Sequence, residues 1–179
     1  MKTGSPDVRS NTEKLFLQAH LNGTGLSVDG SDAESGNGFG IKIGYGFSPL
    51  FTLYAGLDGA SMDGIGGADY GYGLFDIGGQ FNFRSGANAL VPYLDVALTG
   101  QAAVFDEAGE EVTFSGAGFT FGGGLKYFLS PVIALDGSLT ATVGSFTTVE
   151  HDGVSISDED GLDSSGARFS LGVSWYPVR

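Results

Sequence analysis

The chain has 179 residues, of which 32 are glycine and none is cysteine, and its formal net charge is −13. An apolar content of 41% with 12% aromatic residues excludes a disordered chain. The absence of cysteine excludes disulfides and thiolate metal sites, and the negative charge argues against a nucleic acid partner. No stretch reaches the ~18 consecutive apolar residues of a transmembrane helix.

Eight segments alternate apolar and polar residues with a period of two, which is the pattern of a β-strand with unlike faces. In the second segment, for example, Phe39, Ile41 and Ile43 share one face, and Gly40 and Lys42 share the other. Helical periodicity is weak throughout. In chain order, the predicted strands cover residues 15–22, 39–47, 51–58, 75–83, 93–104, 119–127, 133–143 and 167–175.

The connections between these strands differ in length. Short turns fall at 48–50 and 129–131, and a connection of middling length covers 84–91. Long loops are predicted near residues 23–37, 60–71, 105–116 and 145–165. Long and short connections therefore lie at opposite ends, and both termini lie at the short-turn end. We divide the chain into a polar N-terminal tail (1–13), a barrel domain (14–176) and a short C-terminal extension (177–179).

Eight antiparallel strands close into an up-and-down β-barrel, which leaves no unpaired edge. A soluble barrel that binds a hydrophobic ligand would place the apolar faces inside, whereas a transmembrane barrel places them against lipid. The interior of an eight-stranded barrel is too narrow for the Phe, Leu and Trp side chains of eight apolar faces. The polar faces also carry fewer charges than the roughly 25–35% typical of a solvated surface. The sequence therefore predicts an all-β, eight-stranded antiparallel transmembrane barrel.

Aromatic residues cluster at the strand ends, as they do at bilayer interfaces. One predicted belt near the short turns contains Tyr45, Phe47, Phe51, Phe83, Tyr127 and Trp175. A second predicted belt near the long loops contains Phe39, Tyr70, Tyr72, Phe105, Phe114 and Phe146.

The last strand ends in a polar residue, a glycine and aromatic positions, represented by Ser170, Gly172 and Trp175, with Pro177 in place of the last expected aromatic. With this ending and the eight-strand pattern, residues 14–176 resemble the small outer-membrane barrels of Gram-negative bacteria, the outer-membrane-protein-A/X-like superfamily. The resemblance implies a monomer in the bacterial outer membrane with periplasmic termini. It also implies contacts with membrane lipids, including lipopolysaccharide, and with the barrel-assembly machinery during insertion.

Seven charged residues lie on the polar faces of the predicted strands. We expect Lys42 to approach Asp58 and Lys126 to approach Asp136, each pair across a short turn, and Asp136 is one option for Arg168. Paired charges would plug the narrow lumen; the alternative is the selectivity ring of a narrow pore. The predicted lumen network consists of Lys42, Asp58, Asp76, Asp95, Lys126, Asp136 and Arg168.

The four long connections hold 15 of the 21 acidic residues and no lysine or arginine. They form a solvated, repulsive surface or bind divalent cations, directly or by bridging to anionic lipid head groups. Because Ca²⁺ prefers oxygen ligands, the segment around Asp158, Asp160 and Asp163 is the predicted Ca²⁺ site. It does not have the spacing of an EF-hand. No other cofactor is expected.

Catalysis is not expected, although some eight-stranded outer-membrane barrels modify lipids with a Ser/His constellation. The only histidines are His20, on a polar strand face, and His151, in the most acidic loop near Ser155. No pattern in the sequence brings a nucleophile to hydrogen-bond distance of a base. The sequence therefore favours a structural or surface-interaction role. The alternatives are a soluble hydrophobic-ligand barrel, a narrow pore, or an accessory barrel of a larger envelope complex.

Overall fold

The structure is a computed structural model that describes residues 10–64, 69–83, 88–107, 110–151 and 154–177. Every neighbouring strand pair is antiparallel, and β1 pairs with β8 to close the ring, so the predicted eight-stranded barrel is confirmed. None of the described residues belongs to a helix long and apolar enough to span a membrane. The strands are β1 (Lys14–Val28), β2 (Glu34–Gly46), β3 (Phe51–Asp63), β4 (Asp69–Asn82), β5 (Leu90–Glu107), β6 (Glu110–Ser130), β7 (Ile133–His151) and β8 (Val154–Trp175).

The two faces of each strand divide as the alternation predicts. Large apolar side chains point away from the barrel, and Leu21, Phe39 and Leu98 are each about 70% exposed. Polar partners such as Gln18 and Lys42, which face each other across β1 and β2, are buried inside. An apolar exterior around a polar interior is the arrangement of a barrel in lipid, and the reverse of a soluble barrel.

The predicted long loops are largely wrong, because the strands continue into them. The connection between β1 and β2 is reduced to residues 29–33, and that between β7 and β8 to 152–153. Strands β5 to β8 have 18, 21, 19 and 22 residues, against the ~9–11 that a tilted strand needs to cross a bilayer. Beyond the bilayer a strand has no lipid-facing side, so the apolar alternation fades although backbone pairing continues.

Residues near both ends of the described chain pack against the short-turn end of the barrel. Tyr176 is 1% exposed, and its backbone N–H donates to the carbonyl of Val132. Thr12, which falls in the predicted tail, is also buried, and its hydroxyl donates to the carbonyl of Pro49 at 2.8 Å. The packed structure therefore begins before the predicted boundary at residue 14.

Two apolar clusters lie inside the barrel, one at each end. The short-turn cluster contains Phe16, Tyr54, Val91, Ala97, Phe128, Ala134 and Tyr176. The loop-end cluster contains Leu26, Met62, Tyr70, Tyr72, Leu74, Ala103 and Phe146. The charged residues occupy the lumen between and around these two clusters.

Candidate functional site in the lumen and at the acidic end

A buried arginine joins opposite walls of the barrel. Arg168 on β8 donates from Nη2 to Asp76 Oδ2 on β4 at 2.6 Å, and its Nη1 lies 3.1 Å from Asp58 Oδ2 on β3. Strands β4 and β8 are four places apart in a ring of eight, so they face each other across the full width. The guanidinium and its two carboxylates therefore link opposite walls across the interior of the barrel.

Further polar groups hold the two carboxylates. His20 Nε2 lies 2.7 Å from Asp58 Oδ1, and the side-chain amide of Asn22 donates to the same oxygen at 2.9 Å. The hydroxyl of Thr99 donates to Asp76 Oδ1 at 2.6 Å. Hydroxyl contacts then continue from Thr99 along the wall to Thr120 and Thr142, at 2.6 and 2.7 Å. Buried carboxylates need such partners, because an unpaired charge in the interior is costly.

A second connection crosses the lumen nearby. Lys42 Nζ on β2 lies 3.6 Å from Asp95 Oδ2 on β5, three strands away. The hydroxyl of Tyr54 donates to the other oxygen of Asp95. Lys42 Nζ also lies 4.8 Å from the centre of the Tyr54 ring, within the range of a cation–π contact.

An aromatic cage surrounds a lysine at the short-turn end. Lys126 Nζ donates to the side-chain carbonyl of Gln80. Asp136 accepts a hydrogen bond from the hydroxyl of Tyr93 at 2.7 Å. Aromatic faces attract a buried ammonium group, so the cage stabilises the charge of Lys126. The rings around Lys126 Nζ are Phe16 at 5.2 Å, Tyr93 at 5.0 Å and Tyr176 at 5.9 Å.

The structure buries all seven predicted lumen charges, but their partners differ from the expected ones. Lys42 lies diagonal to Asp58 as expected, yet its ion pair is with Asp95. Lys126 pairs with Asp136 in the backbone ladder, yet its ammonium reaches Gln80. Arg168 contacts Asp58 and Asp76, not Asp136. In a narrow lumen a long side chain reaches the opposite wall as easily as the next strand. Adjacency in the sheet therefore does not predict the ion-pair partners of these charges.

Sequence reasoning missed the uncharged partners of this network. Tyr54, Gln80 and Tyr93 lie on the polar faces of their strands by alternation, each two strands away from the charged residue that it contacts. The alternation could have identified these residues, since a tyrosine on the polar face of a strand in a membrane barrel points into the lumen.

The predicted belt near the short turns lies on the outer surface. Phe51 is partly buried, with its ring centre 5.2 Å from that of Phe81. The other five residues are 46–63% exposed, namely Tyr45, Phe47, Phe83, Tyr127 and Trp175. An exposed aromatic girdle at one end suits a bilayer interface.

The predicted belt at the loop end is wrong for five of its six residues, since three are buried in the barrel and Phe105 and Phe114 pack against the loop-end cluster. Tyr70, Tyr72 and Phe146 are buried inside the barrel at 4–6% exposure. Tyr70 and Tyr72 have the same parity as Asp76 on β4, so alternation counted back from Asp76 places them in the lumen. Phe39 is exposed on the outside, at 70%.

The predicted Ca²⁺ segment forms an irregular part of β8. The register between β7 and β8 shifts here, because Phe146 pairs with Leu162 while Thr148 pairs with Ser157. Residues 158–161 of β8 therefore lie opposite a single residue of β7. Asp163 exchanges hydrogen bonds with Asp29, whose side chain accepts from the Asp163 N–H at 3.1 Å. The side chains of Asp158 and Asp160 lie outside the described residues. In the part of the chain that is described, no group of three or more acidic or histidine residues is arranged to hold a metal.

A closed eight-stranded barrel with an apolar exterior, a charged lumen and an aromatic girdle is a transmembrane β-barrel. A family model, the outer membrane protein beta-barrel domain, matches residues 9–176. The chain therefore belongs to the outer-membrane β-barrel family. No curated protein matches its sequence.

Solved structures share this fold at low sequence identity. Neisserial surface protein A is 16% identical with a TM-score of 0.73, and the match covers 90% of this chain and 96% of that one. Ail of Yersinia pestis is 16% identical with a TM-score of 0.60, covering 92% and 99%. OprG of Pseudomonas aeruginosa is 13% identical with a TM-score of 0.58, covering 94% and 98%.

Proposed function

We propose that this protein is a closed, non-conducting barrel of the bacterial outer membrane with a structural or surface-interaction role. The observation that carries the proposal is the link from Arg168 to Asp58 and Asp76, which spans the lumen. The short turns and both termini face the periplasm, and the acidic end faces outward. The barrel works as a monomer, inserted by the barrel-assembly machinery through the ending that contains Ser170, Gly172 and Trp175.

Closure is supported at several levels along the barrel axis. The ion pair between Lys42 and Asp95 makes a second crossing of the lumen. The short-turn and loop-end apolar clusters lie on either side of these charges. An ion would have to displace paired charges and then pass packed apolar side chains. These contacts therefore support a closed lumen over a narrow pore.

Conductance measurements in planar bilayers test closure directly. The wild-type barrel is expected to give no steady current steps at moderate voltage and salt. Steady, ion-selective steps from the wild-type protein would overturn the closed lumen and favour the narrow pore. A porin reconstituted in the same bilayers is the positive control for insertion.

The acidic end determines the kind of surface contact that the barrel makes. Fifteen acidic residues and no lysine or arginine lie in the predicted loop regions. Ail of Yersinia pestis, an attachment invasion locus protein, has been crystallised with the heparin analogue sucrose octasulfate. A polyanion of that kind would be repelled here, so the contacts we propose are with cationic surfaces, or with lipopolysaccharide phosphates through divalent cations.

Binding assays distinguish these contacts. Barrels in nanodiscs are expected to bind a polylysine surface and to be excluded from a heparin surface at low salt. Retention on heparin would contradict the proposed charge preference. Surface labelling of an epitope inserted at residues 29–33 in intact cells tests orientation, since the proposal predicts labelling without permeabilisation.

We infer that the barrel has no enzymatic activity. His20 is 4% exposed and contacts Asp58 within the charge network, which gives it a structural role. The side chain of His151 lies outside the described residues. Turnover of lipid A or phospholipid by the purified barrel, lost in His151→Ala, would contradict this inference.

A further inference from the structure

A cavity of about 230 Å³ lies inside the loop end of the barrel, apart from the charged lumen. Its walls come from β1, β2, β4, β5, β6 and β7, and its edge includes the exposed Ser31 and the partly exposed Leu162. The side chains that form most of its wall are Leu26, Tyr70, Ala103, Phe105, Phe114 and Phe146. An apolar recess open to the exterior contrasts with the polar lumen beneath it, and such recesses are typical of small-ligand sites.

The shape of the wall favours a flat apolar group. The rings of Tyr70 and Phe105 stack with centres 4.5 Å apart, and Phe114 meets Phe105 edge-on at 5.8 Å. An apolar protein cavity of about 150 Å³ holds one benzene. A cavity of 230 Å³ therefore accommodates one ring with a short chain, and excludes a whole lipid tail.

One carboxylate provides the polar contact. Glu34 lines the cavity and accepts a hydrogen bond from the hydroxyl of Tyr70 at 2.5 Å. The sequence of the surrounding loop regions contains no lysine or arginine, so the electrostatic potential at this end of the barrel is negative. A ligand carboxylate would be repelled, while an ammonium would be attracted both by Glu34 and by the aromatic faces.

We propose that this cavity binds a small hydrophobic amine, with its ring among Phe105, Phe114 and Phe146 and its ammonium at Glu34. Such a site is independent of whether the lumen conducts. It adds a ligand-binding function to the outward-facing end of the barrel.

The test compares two probes of similar size and opposite charge, 2-phenylethylamine and 3-phenylpropionate, on the wild-type barrel in uncharged nanodiscs. Saturable binding above that of empty nanodiscs is expected for the amine alone. This comparison needs no variant, so it cannot fail through misfolding. Equal binding of both probes, or no amine binding above empty nanodiscs, would overturn the proposal.

Variants then locate the site. Glu34→Gln is expected to weaken amine binding about tenfold, the effect of roughly 1.4 kcal/mol. Asp32→Asn removes the same charge two residues before Glu34, from the connection between β1 and β2 and not from the cavity wall, and should change the affinity by less than about twofold. Ala103→Leu fills the cavity and should abolish binding while a heat-modifiable gel shift shows that the barrel is folded. If Asp32→Asn weakened binding as much as Glu34→Gln, general surface charge would explain the effect and the site would be wrong.

Discussion

Gly40 on β2 lies directly opposite His20 on β1, and the imidazole occupies the space that a Cβ at residue 40 would need. A Cβ built at Gly40 would lie 2.5 Å from His20 Nε2 and 2.5 Å from Asp58 Oδ1. Residue 40 therefore has no side chain, because His20 and Asp58 of the polar network occupy the space that a Cβ would need. Gly59, which pairs with Phe39 in the next strand, has no atom within 4 Å of its Cβ position.

These two glycines make a matched pair for mutagenesis. Gly40→Ala is expected to destabilise the barrel by about 1–3 kcal/mol, since it forces His20 and Asp58 apart in a packed interior. Gly59→Ala should stay within about 0.5 kcal/mol of wild type. Urea unfolding in lipid vesicles, followed by the fluorescence of the single tryptophan, Trp175, measures both. Equal effects of the two substitutions would contradict the crowded inner wall.

Replacing Arg168 should lower the free energy of unfolding by more than the loss of one of its contacts would. Arg168→Met leaves Asp58 and Asp76 buried without their cation, and breaking a buried ion pair costs about 3–5 kcal/mol. The same unfolding measurement applies. Combining Arg168→Met with Asp58→Asn and Asp76→Asn removes the unpaired charges, so it should recover much of the lost stability. If Arg168→Met alone unfolded within about 1 kcal/mol of wild type, the ion pairs of Arg168 would contribute little to stability.

Lipid exposure of the apolar face is tested with a charge. Leu98 is 71% exposed and pairs with Ile77 near the middle of β4, so Leu98→Arg places a cation close to the bilayer midplane. The expected cost is about 2–4 kcal/mol. Leu50, 61% exposed in the turn between β2 and β3, is the control, and Leu50→Arg should cost about 0–1 kcal/mol. The prediction fails if the two substitutions cost the same in lipid vesicles.

The proposed Ca²⁺ site predicts a response in thermal stability. Millimolar Ca²⁺ should raise the melting temperature, because a ligand that binds only the folded state stabilises it. Asp158→Ala and Asp160→Ala should abolish the rise, while Asp69→Ala, at the first residue of β4, should leave it intact. No rise in the wild-type barrel would remove Ca²⁺ binding from the properties of the acidic end.

Most of the transmembrane part could be predicted from the sequence, because alternation is a local property. Each run such as Phe39 to Phe47 assigns its own inward and outward faces without reference to any other strand. The same rule would have placed Tyr70 and Tyr72 in the lumen, had it taken precedence over their position near a strand end. The extensions of β5 to β8 could not be found in this way, because strands outside the bilayer lack an outward-facing apolar side.

The number of strands, the face that meets lipid and the burial of the seven lumen charges could be predicted from the sequence alone, since each follows from the period of two along one segment. The contacts inside the barrel became visible only in the folded structure. Arg168 joins Asp76 across the barrel, and Lys126 lies in an aromatic cage. Three phenylalanines enclose a cavity, namely Phe105, Phe114 and Phe146. These contacts depend on the diameter of the closed ring, which brings together side chains that are distant along the chain and not adjacent in the sheet.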